Sequence, residues 1–255
     1  MGRGLTKSQR LQEMELLYFQ KSYSDIEMAE RLGVDRSTVY RDRLELETGI
    51  PFSQDESGAR LRLGPDTRDY GIVVREPACL PVRVEAIDGV TRIVAGDRVL
   101  EVGHAPLSFS YAVGGRRVQS SPSDGHFVRR FRLPPFARIG NSWFVSLELG
   151  HDTPVYGLGE KWGRLDRRGQ LIRSFNHDAL GVNAEVSYKN APFAWSPEGW
   201  GVFVHTVAPV THGVGYAPWS QRAYGLKVDE PALDLFLFDG ADGAQLLGQY
   251  TALTG

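Results

Sequence analysis

From Tyr70 onward, the apolar residues of this 255-residue chain fall into short alternating runs separated by glycine-rich turns. Val82, Val84 and Ala86 alternate with polar neighbours up to Asp88-Gly89, after which Thr91-Arg92-Ile93-Val94 returns. Asp-Gly between two alternating runs is a strong hairpin signal, because both central residues of the favoured turn need positive φ. Residues 107–113, the Gly114-Gly115 pair and residues 116–119 repeat that grammar. Further strands are expected over 127–133, 143–149, 201–205, 222–228 and 233–238, with a short amphipathic helix over about 243–250. Many strands at short spacing with little helix between them imply a large antiparallel β-sandwich.

The first 64 residues follow a different period. Leu11, Met14, Leu17 and Tyr18 make a helical stripe. Ser24-Asp25-Ile26-Glu27 has the form of a capping box. The helix behind it presents Ile26, Met28, Ala29 and Leu32 inward, and Gly33 stops it. Asp35 is placed to cap a third helix from Arg36, with Val39 on its buried side. Residues 24–40 resemble the winged helix-turn-helix domains of DeoR-type bacterial regulators, and Arg36-Ser37-Thr38-Val39-Tyr40-Arg41-Asp42 resembles their recognition helix. One departure is Arg43, where those domains usually carry an apolar residue. In that resemblance residues 50–63 form the wing, Arg36, Ser37, Thr38, Tyr40 and Arg41 meet double-stranded DNA, and Arg60 and Arg62 meet its flanking backbone. A homodimer is the assembly such a head implies. The competing role is a helical module for protein contacts.

Charge limits what the head binds. The chain carries 29 Lys+Arg against 31 Asp+Glu, which argues against a broad polyanion-binding surface. One cysteine, Cys79, rules out an intrachain disulfide and CxxC metal sites, and the six histidines show no ligand spacing. Neither a metal nor a cofactor is expected. The N-terminal stretch lacks a signal-peptide core, and no apolar run approaches the ~20 residues that a membrane span needs. The expectation is a cytoplasmic protein without membrane contact.

The most specific signal lies in residues 154–255. Val155-Tyr156-Gly157-Leu158-Gly159-Glu160 is followed by Arg168-Gly169-Gln170, then Phe175-Asn176-His177-Asp178. After these come Tyr188-Lys189-Asn190-Ala191-Pro192-Phe193, Gly199-Trp200-Gly201-Val202-Phe203 and Tyr250-Thr251-Ala252-Leu253-Thr254-Gly255. In this order they resemble the N-terminal, galactose-mutarotase-like β-sandwich of glycoside hydrolase family 31, and the Tyr188–Phe193 version is similar to the α-xylosidase branch. The resemblance implies that Asp178 accepts hydrogen bonds from sugar hydroxyls, with Asn176 beside it and Tyr188 and Trp195 offering apolar faces to an α-linked sugar or glycoside. A carboxylate suits that task because it accepts from two adjacent hydroxyls through charge-assisted bonds. Read from the residues alone, Asp178 is equally a turn residue, and Gly157 and Gly159 are structural bends with Glu160 in a polar network.

No catalytic residue is assigned. Retaining glycosidases need two carboxyl groups about 5–5.5 Å apart. In this family both come from a (β/α)8 barrel, and no βα alternation here would build one. The sequence therefore reads as α+β and multidomain, with a winged helix-turn-helix over 1–64, a linker over 65–69 and the large sandwich over 70–255. Two functions follow. One is the non-catalytic front portion of a family 31 α-glycosidase, with the catalytic barrel as its missing partner. The other is a complete sugar-responsive transcriptional regulator, in which the sandwich senses an α-glycoside and the head binds DNA.

Overall fold

A computed structural model describes residues 10, 13–14, 24–35, 38–39, 52–55, 58–65, 70–74, 81–122, 133–178 and 187–255. In the head, helix α1 (Asp25–Leu32) begins at Ser24, whose hydroxyl accepts from the Glu27 amide while Glu27 reaches back to the Ser24 amide. Gly33, at φ 65°, ends it. Met14, Met28, Ala29, Leu32 and Val39 share a small buried cluster. Ile26, expected on the inner face, is 57% exposed. It precedes Met28 by two residues, which places it around the helix from the Met28–Leu32 stripe. Arg36, Ser37, Tyr40 and Arg41 lie outside the described residues, as does the strand expected over 127–133.

The sandwich is built from three antiparallel sheets. The first has six strands in the order β1 (Phe52–Asp55), β2 (Gly58–Leu63), β16 (Leu233–Asp239), β13 (Trp200–Val204), β12 (Phe193–Ser196) and β10 (Tyr156–Gly157). The second runs β11 (Gln170–Ser174), β14 (Val210–Val214), β15 (Ala223–Val228), β9 (Ser142–Glu148) and β8 (Phe136–Ile139). The third is a meander in chain order, β3 (Arg83–Ile87), β4 (Val90–Ala95), β5 (Arg98–His104), β6 (Leu107–Val113) and β7 (Arg116–Ser120). Its turns are those the sequence specifies. Asp88 and Gly89 have φ of 36° and 78°, and Gly114 and Gly115 have φ of 56° and 78°, the paired positive values of a tight hairpin.

All three sheets feed one core, which includes Leu61, Leu100, Tyr111, Leu147, Leu226 and Leu235. Strand β16 is buried along its whole length because both of its faces are covered. Leu233, Leu235 and Leu237 enter the inter-sheet core. Phe236 and Phe238 face the other way, into a second cluster with Phe193, Phe203, Leu246 and Leu253. Helix α2 (Gly243–Thr254), capped by Asp242, closes that face, and Tyr250 stacks on Phe193 with ring centroids 4.3 Å apart.

Strand β2 corrects the expected domain boundary. Leu63, Leu61 and Ala59 pair with Leu233, Leu235 and Leu237 of β16. Residues 58–63 are therefore a sandwich strand and not the wing of the head, and the sandwich begins before residue 64. Arg60 is 7% exposed. Its Nε and Nη2 donate to the two carboxylate oxygens of Asp234 at 2.8 and 2.5 Å. Arg62 Nε lies 3.6 Å from the same carboxylate, and His205 Nδ1 is 2.9 Å from it. Burial alone would raise the Asp234 pKa, but the bonds from Arg60 and His205 outweigh it and hold the carboxyl below its ordinary range. This arginine is held against a buried carboxylate inside the sheet.

Candidate functional site: the loop held by Asn190

The candidate sugar residues sit on two segments that close on each other, 175–178 and 187–190. Strand β11 delivers the first. The second leads into β12. An isolated bridge pairs Asn176 with Ser187, and the His177 amide donates to the Ser187 carbonyl at 3.2 Å.

Asn190 ties the two together. Its backbone amide donates to Asn176 Oδ1 at 2.8 Å. Its Nδ2 reaches Asn176 Oδ1, the Phe175 carbonyl and the Ser187 carbonyl at 2.9–3.0 Å. Asn190 Oδ1 accepts from Ser187 Oγ at 3.2 Å and from Lys161 Nζ. A single amide side chain thus gathers both loop stems and a lysine from a third segment.

Lys161 reaches this point because the chain before it is bent tightly. Gly157, Leu158 and Gly159 have φ of 102°, 70° and 73°. A Cβ on Gly159 would stand 2.4 Å from the Lys189 carbonyl oxygen, and one on Gly157 would stand 2.4 Å from the Phe193 carbonyl oxygen. Both bends are therefore structural, as the residues alone suggested. Leucine rarely adopts positive φ; here its fully buried side chain holds it. The Leu158 amide donates to Phe193 O and the Glu160 amide to Lys189 O. Arg167, 4% exposed, braces the same bend by donating to Gly157 O and Arg164 O.

Lys161 Nζ also donates to the Arg173 carbonyl at 2.6 Å and to Ser187 Oγ at 3.4 Å. Burial pushes its pKa down to about 8, and the nearby Arg167 charge adds to this. Below the loop, burial pushes His212 down to about 3, with Lys161 acting in the same direction. The imidazole is therefore neutral, and its Nδ1 lies 2.7 Å from the Tyr224 hydroxyl.

On this frame Asn176, His177 and Asp178 are exposed, and Tyr188 is 51% exposed. Asn176 Oδ1 already accepts two hydrogen bonds from Asn190. The structure does not add Trp195 to this group of open residues. Trp195 lies on β12 opposite Tyr156, ring centroids 5.1 Å apart, and a Cβ on Gly243 of α2 would stand 2.5 Å from its ring. Its face is used in packing the helix. Sequence reasoning missed Lys161 and Asn190, although Asn190 lies inside a quoted motif and Lys161 directly follows another.

Thr38 is committed locally as well. Its amide and hydroxyl both bond Asp35, at 2.9 Å each. Among the described residues, no group of three His, Cys, Asp or Glu is arranged to hold a metal, and no helix is long and apolar enough to cross a membrane. A separate cleft of about 490 Å³ opens between Arg116, Glu198, Asp239 and Gln245.

Comparison with known proteins agrees with the sandwich. Residues 48–212 match the family described as the glycosyl hydrolase 31 N-terminal galactose mutarotase-like domain. That match begins ahead of β1, in keeping with the placement of β2 in the sandwich. An α-xylosidase from Emericella nidulans is 31% identical over 60% of this chain and 18% of its own length. The α-xylosidase XylQ of Lactiplantibacillus pentosus is 26% identical over 68% of this chain and 23% of its own. The chain thus spans about a fifth of the curated relatives that it matches. Among solved structures, a Flavobacterium johnsoniae GH31 dextranase complexed with isomaltotriose superposes with TM-score 0.66 at 21% identity, over 78% of this chain and 24% of that one. A GH31 α-xylosidase from a soil metagenome complexed with xylose gives 0.61 at 16% identity, over 81% and 32%. With more than half of its residues matched, the chain belongs to the glycosyl hydrolase 31 N-terminal galactose mutarotase-like domain family.

Proposed function

We propose that this chain is the non-catalytic front portion of a family 31 α-glycosidase of the α-xylosidase or α-glucosidase type, and that its segments 175–178 and 187–190 contribute contacts to an α-linked sugar. The bond-breaking carboxylates belong, in this reading, to a catalytic barrel that works with the sandwich. The observation that carries the reading is the Asn190 hub. It holds both loop stems and leaves Asp178 and Tyr188 open to solvent beside each other's stems. Asp178 accepts from adjacent sugar hydroxyls, and the Tyr188 ring covers an apolar sugar face. Two relatives named as α-xylosidases and neighbours solved with isomaltotriose and xylose support the same ligand class. Saturation-transfer NMR with xylose and isomaltotriose tests it. Signal is expected from the wild-type chain and is lost in Asp178→Asn; equal signal from both refutes the reading.

A second reading concerns the head. The capped helix α1, the left-handed Gly33 and the Asp35 cap on Thr38 follow one another as the first half of a helix-turn-helix does. This supports a DNA-contacting head, as in a sugar-responsive regulator. It predicts a salt-dependent mobility shift of duplex DNA by the full chain, and no shift at low salt would end it.

A further inference from the structure

We propose that Lys161 is the positioning residue of the sugar loop, its ammonium locking Asn190 and, through Asn190, Asn176 two residues ahead of Asp178. The inference rests on the reading of Asp178 as a sugar ligand and adds what holds it in place.

The geometry is a relay across three segments. An ammonium has three N–H donors, and Lys161 meets three acceptors: Arg173 O on β11, Ser187 Oγ and Asn190 Oδ1. β11 feeds the first loop stem, and the other two acceptors lie on the second. One cation therefore fixes the spacing of both stems. Asn190 passes that constraint on, because its amide orientation is set once Oδ1 is held. Its Nδ2 must then point to Phe175 O, Asn176 Oδ1 and Ser187 O. The lysine itself is delivered by the Gly157-Leu158-Gly159 bend, where a Cβ on either glycine would overlap backbone.

The charges around Lys161 suit a device that holds its loop through acceptors and not through an ion pair. Arg167 faces it from its own loop and the neutral His212 from β14. Its contacts on β11 and on the second stem are a carbonyl, a hydroxyl and an amide oxygen. No carboxylate lies within ion-pair distance of it among the described residues.

The test reads the two amides that the lock controls. His177 N–H bonds Ser187 O, and Asn190 N–H bonds Asn176 Oδ1. Their hydrogen-exchange protection factors are compared with that of Val202, which lies in the sheet centre and is 1% exposed. In Lys161→Met both loop amides are expected to lose at least tenfold in protection while Val202 is unchanged, and isomaltotriose affinity is expected to fall at least fivefold. Lys161→Arg keeps the charge and the donors and should hold loop protection within threefold of the wild type at pH 7. A contact that served only to fill space would not be rescued by a second cation and lost in the apolar variant.

Unchanged loop protection in Lys161→Met overturns the inference, even if Asp178→Asn abolishes isomaltotriose binding and so upholds the sugar reading. Loosened loop amides with isomaltotriose binding intact in both Lys161→Met and Asp178→Asn overturn both, leaving Lys161 a structural anchor. If Lys161→Met loses Val202 protection too, Lys161→Arg decides. A ratio of Asn190 to Val202 protection within threefold of the wild type upholds the inference, and a tenfold lower ratio overturns it.

Discussion

Two polar clusters join distant parts of this chain, and they balance charge in opposite ways. On the closed face of the six-stranded sheet, Asp234 is met by Arg60, Arg62 and His205, all within 3.6 Å. A carboxylate answers the cations there, and the Arg60–Asp234 pair is buried, with the Arg60 guanidinium 4.3 Å over Phe236. Against segments 175–178 and 187–190, Lys161 has neutral acceptors and a second cation, Arg167, nearby among the described residues. A buried ion pair of this kind serves folding. A cation kept partly buried without a counter-charge disfavours it.

Breaking the matched cluster should have the largest effect. Asp234→Ala leaves Arg60 buried without its partner and is expected to cost about 3–5 kcal/mol, read as a lower urea midpoint. The pH dependence has a definite sign. Asp234 is held below its ordinary pKa in the fold, so its contribution is complete above the unfolded value near 4 and is lost as pH falls through the folded one. Acid unfolding of Asp234→Asn should lack that part of the slope.

Gly159→Ala comes next. It forces a Cβ into the Lys189 carbonyl at φ 73°, and about 1–3 kcal/mol of destabilisation is expected. Loss concentrated in the loop amides would sharpen the comparison, and loss spread evenly through the sheets would break it.

Lys161 gives a smaller effect, with the same sign of pH dependence as Asp234 but in the alkaline range. Its folded pKa is lowered from 10.5 to about 8, so between those values the unfolded chain binds more protons and stability rises with pH. The melting temperature of the wild type should therefore gain on that of Lys161→Met from pH 8 to 10.5. A wild type that loses ground would mean that the lysine is compensated after all. The smallest effect belongs to exposed Asp178, where Asp178→Asn should shift stability by no more than about 0.5 kcal/mol in urea.

The hairpins were legible because their turns are local. Asp88-Gly89 and Gly114-Gly115 specify positive φ without reference to anything distant. Strand β2 was not, because Arg60-Leu61-Arg62-Leu63 alternates like a surface hairpin and its partner lies 174 residues away. A signal was present in Leu233-Asp234-Leu235-Phe236, where an acid set among large apolar residues needs a buried cation. Trp195 looked free for a sugar because nothing local reveals that Gly243 packs on its ring. Asn190 sat in a quoted motif and Lys161 just after another, but their pairing across 29 residues depends on the left-handed bend at 157–159.

The central claim is that the open face of the Asn190-held loop is where this sandwich meets sugar. Residue-resolved amide shifts during titration with isomaltotriose test it most directly. The account predicts perturbations at residues 176–178 and 187–190, absent in Asp178→Asn while the rest of the spectrum is preserved. Shifts confined to the cleft of Arg116, Glu198 and Gln245, or none at saturating sugar, would contradict it.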